Sequence, residues 1–235
     1  MNMKVWCNMV ISKQTFPFYG IILLISMSLG LFYIFRMLKK EGIKDKNIYL
    51  YILLYGLFAF VFGKFYTMIS SNDYNILKAG LSSYGGLIGV ILATITFELI
   101  LPTNKKLIKY AIISLPLTYG IAKIGCFIAG CCYGIPYDGI FKVIYIDDLN
   151  IGQFPIQITE TIVFIIIFLI CNKLRNNKNI IYITALISTI AKFLLDFLRY
   201  EHLNKILTTN QIFSIIIVIV LIIIFIIRSK TKKTN

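Results

Sequence analysis

The sequence predicts an all-α membrane protein with seven transmembrane helices, and three observations support this prediction. Of 235 residues, 58% are hydrophobic and 14% are charged, whereas soluble domains average about 45–50% apolar and about 25% charged residues. The apolar residues form seven long runs, and a helix needs about 20 such residues to cross a bilayer. Basic residues lie mostly in short loops between the runs, so the net charge of +14 does not indicate a nucleic-acid partner.

The seven runs follow one another along the chain and define one membrane domain, 1–235. We place the spans at 17–38, 48–70, 84–102, 110–129, 156–172, 180–198 and 211–228. The fourth span is the weakest, because Pro116, Gly120 and Gly125 interrupt it. Residues 130–155, between spans four and five, form a small loop domain outside the membrane.

The loops predict the orientation of the helices. Lysine and arginine are concentrated in the loops after spans one, three and five and in the C-terminal tail, and are sparser on the opposite side. Because basic loops stay in the cytoplasm, the N-terminus should face out and the C-terminus should be cytoplasmic. Residues 1–16 lack the features of a cleavable signal peptide, so the first span should act as the signal.

Charged residues also lie within or close to the predicted spans. The basic ones are Lys64, Lys123 and Lys192, and the acidic ones are Glu98, Glu160 and Asp196. A charge at the bilayer centre costs about 2.5–3.5 kcal/mol on insertion scales, so such groups usually face a polar cavity or each other. A single lysine near a helix end could instead extend its ammonium group to the interface. Three lysines together favour a site for an anionic lipid head group.

Two aromatic and glycine motifs open helices. Tyr19-Gly20 stands at the start of span one, where a lone tyrosine is usually an interfacial anchor. Tyr84-Gly85-Gly86-Leu87-Ile88-Gly89 begins span three, and its glycines allow close approach of a neighbouring helix or a ligand. Helix packing is the commoner use of such glycines.

Two further motifs combine charge with thiols or carboxylates. Lys123 begins a stretch that ends span four and contains three cysteines and several glycines, up to Gly134. Near the end of span six, Lys192, Asp196 and Arg199 are spaced to share one helical face. The alternative for this second motif is an intrahelical ion pair that neutralises a buried charge.

The five cysteines favour a local site over a disulfide framework, since three of them lie within seven residues: Cys126, Cys131 and Cys132. These thiols could form a redox or metal site. A structural metal site normally has four protein ligands, and no histidine or further cysteine nearby completes the set. We therefore predict neither a metal nor a cofactor.

Together and in this order, the motifs resemble those of the bacterial prolipoprotein diacylglyceryl transferase family, over about residues 17–228. The matching segments are Tyr19-Gly20, Gly63-Lys64-Phe65-Tyr66, Tyr84 to Gly89, Lys123 to Phe127 continuing to Gly134, Pro155 to Glu160, Lys192 to Arg199, and Gln211. The resemblance implies an enzyme of the bacterial cytoplasmic membrane. It would transfer a diacylglyceryl group from phosphatidylglycerol to the lipobox cysteine of prolipoprotein signal peptides.

The resemblance also implies roles for individual residues. Lys123 and Lys192, assisted by Arg199, would hold the phosphate and its leaving group, and Asp196 would orient them. Tyr19 and Tyr84 would line the site and bond to substrate oxygens. The remaining expected substrate-binding residues are Lys64, Gly85, Gly86, Cys126, Gly134, Gln157 and Glu160.

The sequence departs from the family pattern at several of these positions. Tyr84 stands where the family usually has histidine, Cys126 replaces asparagine, and lysine replaces arginine at 64, 123 and 192. Lysine cannot grip phosphate with a bidentate fork, and a phenol is a poor base at neutral pH. The alternative is therefore a non-catalytic or altered-substrate relative that binds anionic lipid or a partner's transmembrane helix.

Overall fold

The computed structural model describes residues 9–11, 17–71, 74–75, 82–103, 106–145 and 151–231. Seven α-helices occupy these ranges, each close to a predicted run. They are α1 (Pro17–Lys40), α2 (Asp45–Ser71), α3 (Ser83–Ile100), α4 (Lys106–Ile128), α5 (Ile156–Lys173), α6 (Ile180–Asp196) and α7 (Thr209–Thr231). The mainly helical prediction is confirmed, and α4 runs unbroken through Pro116.

Five of the described helices are long and apolar enough to cross a membrane, two fewer than the sequence predicts. The five segments are Phe18–Lys40, Asp45–Ile69, Lys106–Ile128, Ile156–Lys173 and Thr209–Ile227. The apolar part of α3 is shorter, at Tyr84–Ile100. Helix α6 has 17 residues, which cover about 26 Å at the usual helical rise, and it carries two charged residues near its end.

The described surface is apolar, and several charged side chains lie inside. Leu53 on α2 and Leu99 on α3 are 68% and 81% exposed. Glu160 and Asp196 are almost completely buried. This inversion suits a hydrocarbon surrounding, where apolar side chains face lipid and polar groups find partners within the protein.

The chain divides into two compact units. The first comprises Met1–Ser26 and Tyr119–Asn235, and the second comprises Met27–Thr118. Helices α1 and α4 contribute residues to both. Each unit is described by itself below.

The first unit contains a small parallel sheet, which the all-α prediction did not include. Strand β1 (Met9–Ile11) pairs with β2 (Val143–Tyr145), with Met9 opposite Val143. Val143 also forms an antiparallel bridge with Gln153. The predicted loop domain is therefore an extended segment held by backbone hydrogen bonds, where its residues are described. Sequence periodicity could not reveal this sheet, because its strands have three residues each and lie far apart in the chain.

The end of α6 differs from its prediction in a way that affects the site. The helix stops at Asp196 instead of continuing to 198. Arg199 lies beyond it and pairs its backbone with Gly134 in an antiparallel bridge. The prediction that Lys192, Asp196 and Arg199 share one helical face is wrong for Arg199.

In the second unit, glycines on α3 allow close packing against α2. A methyl group at Gly85 would lie 2.3 Å from the Phe62 carbonyl oxygen, and one at Gly89 would lie 2.2 Å from that of Phe58. Both distances are far shorter than van der Waals contact, so only glycine fits. The packing interpretation of this motif therefore holds for Gly85 and Gly89.

The second unit also holds a group of paired charges just after α1, which we call the Glu41 set. Glu41 pairs with Lys106 at 3.0 Å and with Lys109 at 3.5 Å. The Tyr110 hydroxyl donates a hydrogen bond to the same carboxylate. The hydrogen bond from Tyr110 and the contact with Lys106 lower the pKa of Glu41 to about 2. The Glu41 set joins the loop after α1 to the start of α4.

Candidate active site

Glu160, in the first turns of α5, is the anionic centre of a buried group of charges in the first unit. Its carboxylate pairs with the Lys123 ammonium at 3.1 Å and with the Arg199 guanidinium at 2.6 Å. The Tyr119 hydroxyl donates a hydrogen bond to the same carboxylate at 2.9 Å. The side chain of Glu160 is 1% exposed, so these three partners replace the water that an ionised carboxylate needs.

Helix α4 supplies two of these groups from one face, because Tyr119 and Lys123 are four residues apart. The Lys123 ammonium lies 5.0 Å from the centre of the Tyr119 ring. Lys192, on α6, places its ammonium 4.6 Å from the same ring. Aromatic rings attract cations at this range. Tyr119 therefore brings the two lysines together while its hydroxyl holds the carboxylate.

Asp196 fixes the other side of Arg199. Its carboxylate lies 3.2 Å from the Arg199 Nε atom. The Thr208 hydroxyl and the Asn210 side-chain amide donate hydrogen bonds to Asp196. The Thr208 backbone N–H donates to the side chain of Gln211 at 2.9 Å. The connection from α6 to α7 thus folds back onto the end of α6 and holds Asp196 and Arg199 in place.

We call the five charged residues Lys123, Glu160, Lys192, Asp196 and Arg199 the ion cluster. With all five ionised, three positive and two negative charges leave one positive charge in excess. Burial disfavours the charged guanidinium, but Tyr119 and Glu160 beside it raise the pKa of Arg199 well above its ordinary value. Arg199 is therefore a permanent cation, and with Lys192 also protonated the ion cluster can accept an anion.

Three thiols meet where α4 ends. The sulfur atoms of Cys126, Cys131 and Cys132 lie within 4.8 Å of one another, and all three are free thiols at partly exposed residues. Hydrogen bonds from the Cys126 and Cys131 thiols, together with nearby Lys123 and Arg199, hold the pKa of Cys132 well below its ordinary value. The thiols therefore adjoin the ion cluster and interact with its cations.

A helix-ending turn brings the thiols together. Gly130 has a φ of +60°, its N–H bonds to the Phe127 carbonyl, and the Cys131 N–H bonds to the Cys126 carbonyl at 3.0 Å. This is the hydrogen-bond pattern of a Schellman motif, which reverses the chain after a helix. Cys132 then adopts a φ of +58°, which is rare for a residue other than glycine.

Other predicted site residues support the walls of this region. Tyr19 on α1 lies beside Gly125, where an added methyl group would be 3.2 Å from its ring. Gln157 donates a hydrogen bond to the Cys131 carbonyl at 2.8 Å. Gly134 has no room for a side chain, since a methyl group there would lie 2.1 Å from the Phe154 carbonyl oxygen. The predicted residues of this unit thus form one neighbourhood.

Four predicted residues belong to the second unit. Tyr84 is buried, and its ring centre lies 6.4 Å from that of Tyr66. Gly85 packs against α2, as described above, while Gly86 has more space, with its nearest neighbour at 3.8 Å. The Lys64 ammonium lies 6.0 Å from the centre of the Phe60 ring.

Comparison with known proteins gives the family. The family model for prolipoprotein diacylglyceryl transferase matches residues 8–227. The chain belongs to this family. The phosphatidylglycerol–prolipoprotein diacylglyceryl transferase of Clostridioides difficile is 30% identical, in an alignment that covers 92% of each chain.

More distant relatives carry related names. The phosphatidylglycerol–prolipoprotein diacylglyceryl transferase of Pseudomonas putida (strain F1) is 28% identical, over 63% of this chain and 57% of its own. A Clostridium perfringens protein named phosphatidylglycerol–prolipoprotein diacylglyceryl transferase 2 is 28% identical, over 59% of each chain. These matches confirm the family that the motifs indicated.

Sequence reasoning missed several residues of this candidate site, namely Tyr119, Thr208 and Asn210. Tyr119 had one available signal, because it lies four residues before Lys123 on the same helix. Thr208 and Asn210 had none, since they precede or open the last helix like ordinary capping residues. Their contacts with Asp196 depend on how the connection folds back.

Proposed function

We propose that this chain transfers a diacylglyceryl group from phosphatidylglycerol to the lipobox cysteine of prolipoproteins, the first step of bacterial lipoprotein maturation. The cysteine sulfur forms a bond to the glyceryl carbon as the bond from that carbon to the phosphate oxygen breaks. Glycerol 1-phosphate leaves with the electron pair of the broken bond, and the thiol proton is lost. Family membership and the names of the relatives support this proposal.

The observation that carries the proposal is the buried ion cluster with its excess positive charge. The departing phosphate gains negative charge during the reaction, and pre-positioned cations stabilise such charge most effectively where water is excluded. We assign this task to Lys123 and Lys192, with Arg199 assisting. Lys192 approaches from a different helix than Lys123, so a phosphate between them would be held from two sides.

The two acidic residues of the ion cluster, Glu160 and Asp196, hold its cations in position in this proposal. We infer that Glu160 fixes Lys123 and Arg199 at contact distances of 3.1 and 2.6 Å. We infer that Asp196 fixes Arg199, as its 3.2 Å contact supports. Both are positioning residues in this proposal. This revises the expectation that Glu160 itself binds substrate, because its oxygens already have partners in the chain.

The other predicted residues line or shape the site in this proposal. Tyr19 and Tyr84 bond to substrate oxygens. Gln157 and Gly134 hold the segment after α4 through the hydrogen bond and close contact described above. The remaining substrate-binding assignments, which carry over from the family resemblance, are Lys64, Gly85, Gly86 and Cys126.

We further propose that the protein is a multi-pass protein of the bacterial cytoplasmic membrane, with its N-terminus outside and all seven helices inserted. The basic loops support this orientation. The ion pairs of Glu41 with Lys106 and Lys109 agree with it, since they join two loops expected on the cytoplasmic side.

The decisive test is transfer of labelled diacylglycerol from phosphatidylglycerol to a lipobox peptide by the purified protein in detergent. The proposal expects a labelled peptide, and no label on a peptide whose cysteine is replaced by serine. Absence of product from folded protein, beside an active relative as positive control, would instead indicate a relative that binds lipid or a partner helix without transferring the group.

A further inference from the structure

The thiols of Cys131 and Cys132 have no task in the proposed reaction as described so far, and Cys126 has only the substrate-binding assignment that the family resemblance implies. Three sulfur atoms within 4.8 Å of one another are close to the arrangement that a metal ion requires. In a tetrahedral site with Zn–S bonds of about 2.3 Å, the sulfurs lie about 3.8 Å apart. Each sulfur therefore needs to move toward the common centre by about 0.6 Å at most, which a small side-chain rotation supplies.

We propose that Cys126, Cys131 and Cys132 bind one Zn²⁺ ion, and that the fourth coordination position takes the thiol of the peptide substrate. The metal site stands on the geometry of the three sulfurs. The role of the fourth position rests on the proposed transferase function.

The donor set selects the metal. Thiolates favour soft or borderline ions, chiefly Zn²⁺ and Cu⁺, over Mg²⁺ and Ca²⁺. Zn²⁺ prefers four ligands, and catalytic zinc sites have three protein ligands and one open position. No fourth histidine, cysteine or carboxylate joins the three sulfurs among the described residues. The prediction of no metal counted four protein ligands, whereas three are sufficient when the substrate supplies the last.

The surroundings suit the charge of such a site. Zn²⁺ with three thiolates carries one negative charge, and Cys132 lies near enough to Lys123 and Arg199 to interact with both. The cations of the ion cluster therefore favour a negatively charged metal site beside them. The same arrangement places a metal-bound sulfur next to the groups assigned to the phosphate.

The backbone at Cys132 is a second, independent observation. A left-handed φ is costly for a residue other than glycine, and strain of this kind is concentrated at functional positions. The Cys132 thiol is therefore held at a position whose backbone conformation, φ +58°, favours glycine. Gln157 holds the adjacent Cys131 carbonyl and so maintains the turn.

The metal site activates the thiol of the peptide substrate, a task for which the phenol of Tyr84 is poorly suited. A free thiol has a pKa near 8.5, and coordination to a metal ion removes its proton at neutral pH. The proton passes to solvent when the substrate thiol binds. The bound sulfur then donates its electron pair to the glyceryl carbon while phosphate leaves with the electrons of the C–O bond, so no oxidant or reductant is needed.

The first experiment measures zinc in the full-length protein, purified in detergent with a thiol reductant and supplied with Zn²⁺. We expect one zinc per chain, and loss of that zinc in Cys126→Ser, Cys131→Ser and Cys132→Ser. Cys171→Ser is the matched control, because this cysteine lies near the other end of α5 from Glu160 and should leave the zinc in place. Absence of zinc from the wild type, or retention in all three variants, would overturn the site.

Cys132→Gly separates metal binding from folding. Glycine accepts the left-handed backbone without strain, so with Zn²⁺ removed from both proteins the variant should melt at the same temperature as the wild type or higher. The variant should also fail to bind added zinc. A lower melting temperature with zinc retained would mean that Cys132 is structural and would contradict the proposal.

Cobalt in place of zinc tests the fourth position. The sulfur-to-cobalt absorption should increase by about one third when a cysteine-containing lipobox peptide raises the thiolate count from three to four. A serine peptide should leave the spectrum unchanged. No response to the cysteine peptide would overturn substrate coordination, and a response that appears only in Cys7→Ser would mean that Cys7, which lies outside the described residues, fills the fourth position.

The transfer assay distinguishes failure of this inference from failure of the proposed function. Full activity after zinc has been removed by a chelator would overturn the inference and leave the transferase intact. Zinc binding with the expected cobalt response but no transfer would reject the transferase and retain the metal site.

Discussion

The two units each contain a glutamate held by a tyrosine hydroxyl and two cations, but only one of these glutamates is buried. In the first unit, Glu160 is bound by Tyr119, Lys123 and Arg199, and its side chain is 1% exposed. In the second unit, Glu41 is bound by Tyr110, Lys106 and Lys109, and its side chain is 27% exposed. A similar set of groups therefore occurs once in a buried site and once near the protein surface.

This difference determines what each set can do. Near water, charges are screened, and an ion pair contributes about 0–1 kcal/mol. In a buried site each charge depends on its partner, so loss of one partner costs about 3–5 kcal/mol. The Glu41 set can hold two loops together, whereas the Glu160 set can hold cations in a fixed position where a reacting anion would feel them strongly.

The largest difference should appear when each glutamate loses its charge. Glu160→Gln leaves Lys123 buried without its counter-ion and Arg199 with Asp196 alone, so the free energy of unfolding should fall by about 3–5 kcal/mol. Glu41→Gln should lower it by about 0–1 kcal/mol. Unfolding in mixed detergent micelles measures both. Equal losses in the two variants would remove the distinction between the sets.

The next comparison replaces a lysine in each set. Lys123→Ala, and likewise Lys192→Ala, should reduce diacylglyceryl transfer by at least about 100-fold, because a group that stabilises developing charge is lost. Lys106→Ala should retain most of the activity. Transfer is measured on membranes that contain equal amounts of inserted protein. Full activity of both site variants would reject the phosphate assignment.

A smaller effect should follow from removing each tyrosine hydroxyl while keeping the ring. Tyr119→Phe removes a hydrogen bond to a buried carboxylate and should cost about 1.5–3 kcal/mol of stability. Tyr110→Phe should cost less, since water can reach the Glu41 carboxylate. Measurement of both variants in the same micelles compares them directly, and a larger loss for Tyr110→Phe would contradict the burial argument.

The smallest effect concerns the pH dependence of the Glu41 set. Because the pKa of Glu41 falls from 4.5 to about 2 on folding, its contribution to stability is complete above pH 4.5 and is lost as the pH falls toward 2. The difference in melting temperature between the wild type and Glu41→Gln should therefore shrink over this range. A difference that stays constant would show that the Glu41 charge does not stabilise the fold.

Much of the helical framework could be predicted from the sequence. Apolar runs near 20 residues long predict membrane helices because every backbone group must be satisfied within its own segment. All seven predicted runs coincide with helices, although α3 and α6 are shorter than a full span. Boundaries were less predictable, as the early end of α6 at Asp196 illustrates.

The candidate site was predictable residue by residue but not as an arrangement. Lys123, Glu160, Lys192 and Asp196 were identified because charges in apolar runs are costly. The sequence did not indicate that Glu160 would bind both Lys123 and Arg199, or that Tyr119 would face two lysines. The three cysteines were recognised as a local group, while their approach to within 4.8 Å required the turn at Gly130.

By itself, the sequence determined the number and order of the helices, the charges inside them and the resemblance to a family. These properties depend on local composition and spacing, which the chain carries whatever its fold. Only the tertiary structure decided the partners, such as Tyr119 with Glu160, 41 residues apart, and Arg199 with Glu160, 39 residues apart. A buried charge must find a partner, but which one it meets depends on how distant helices pack, and no local pattern encodes that choice.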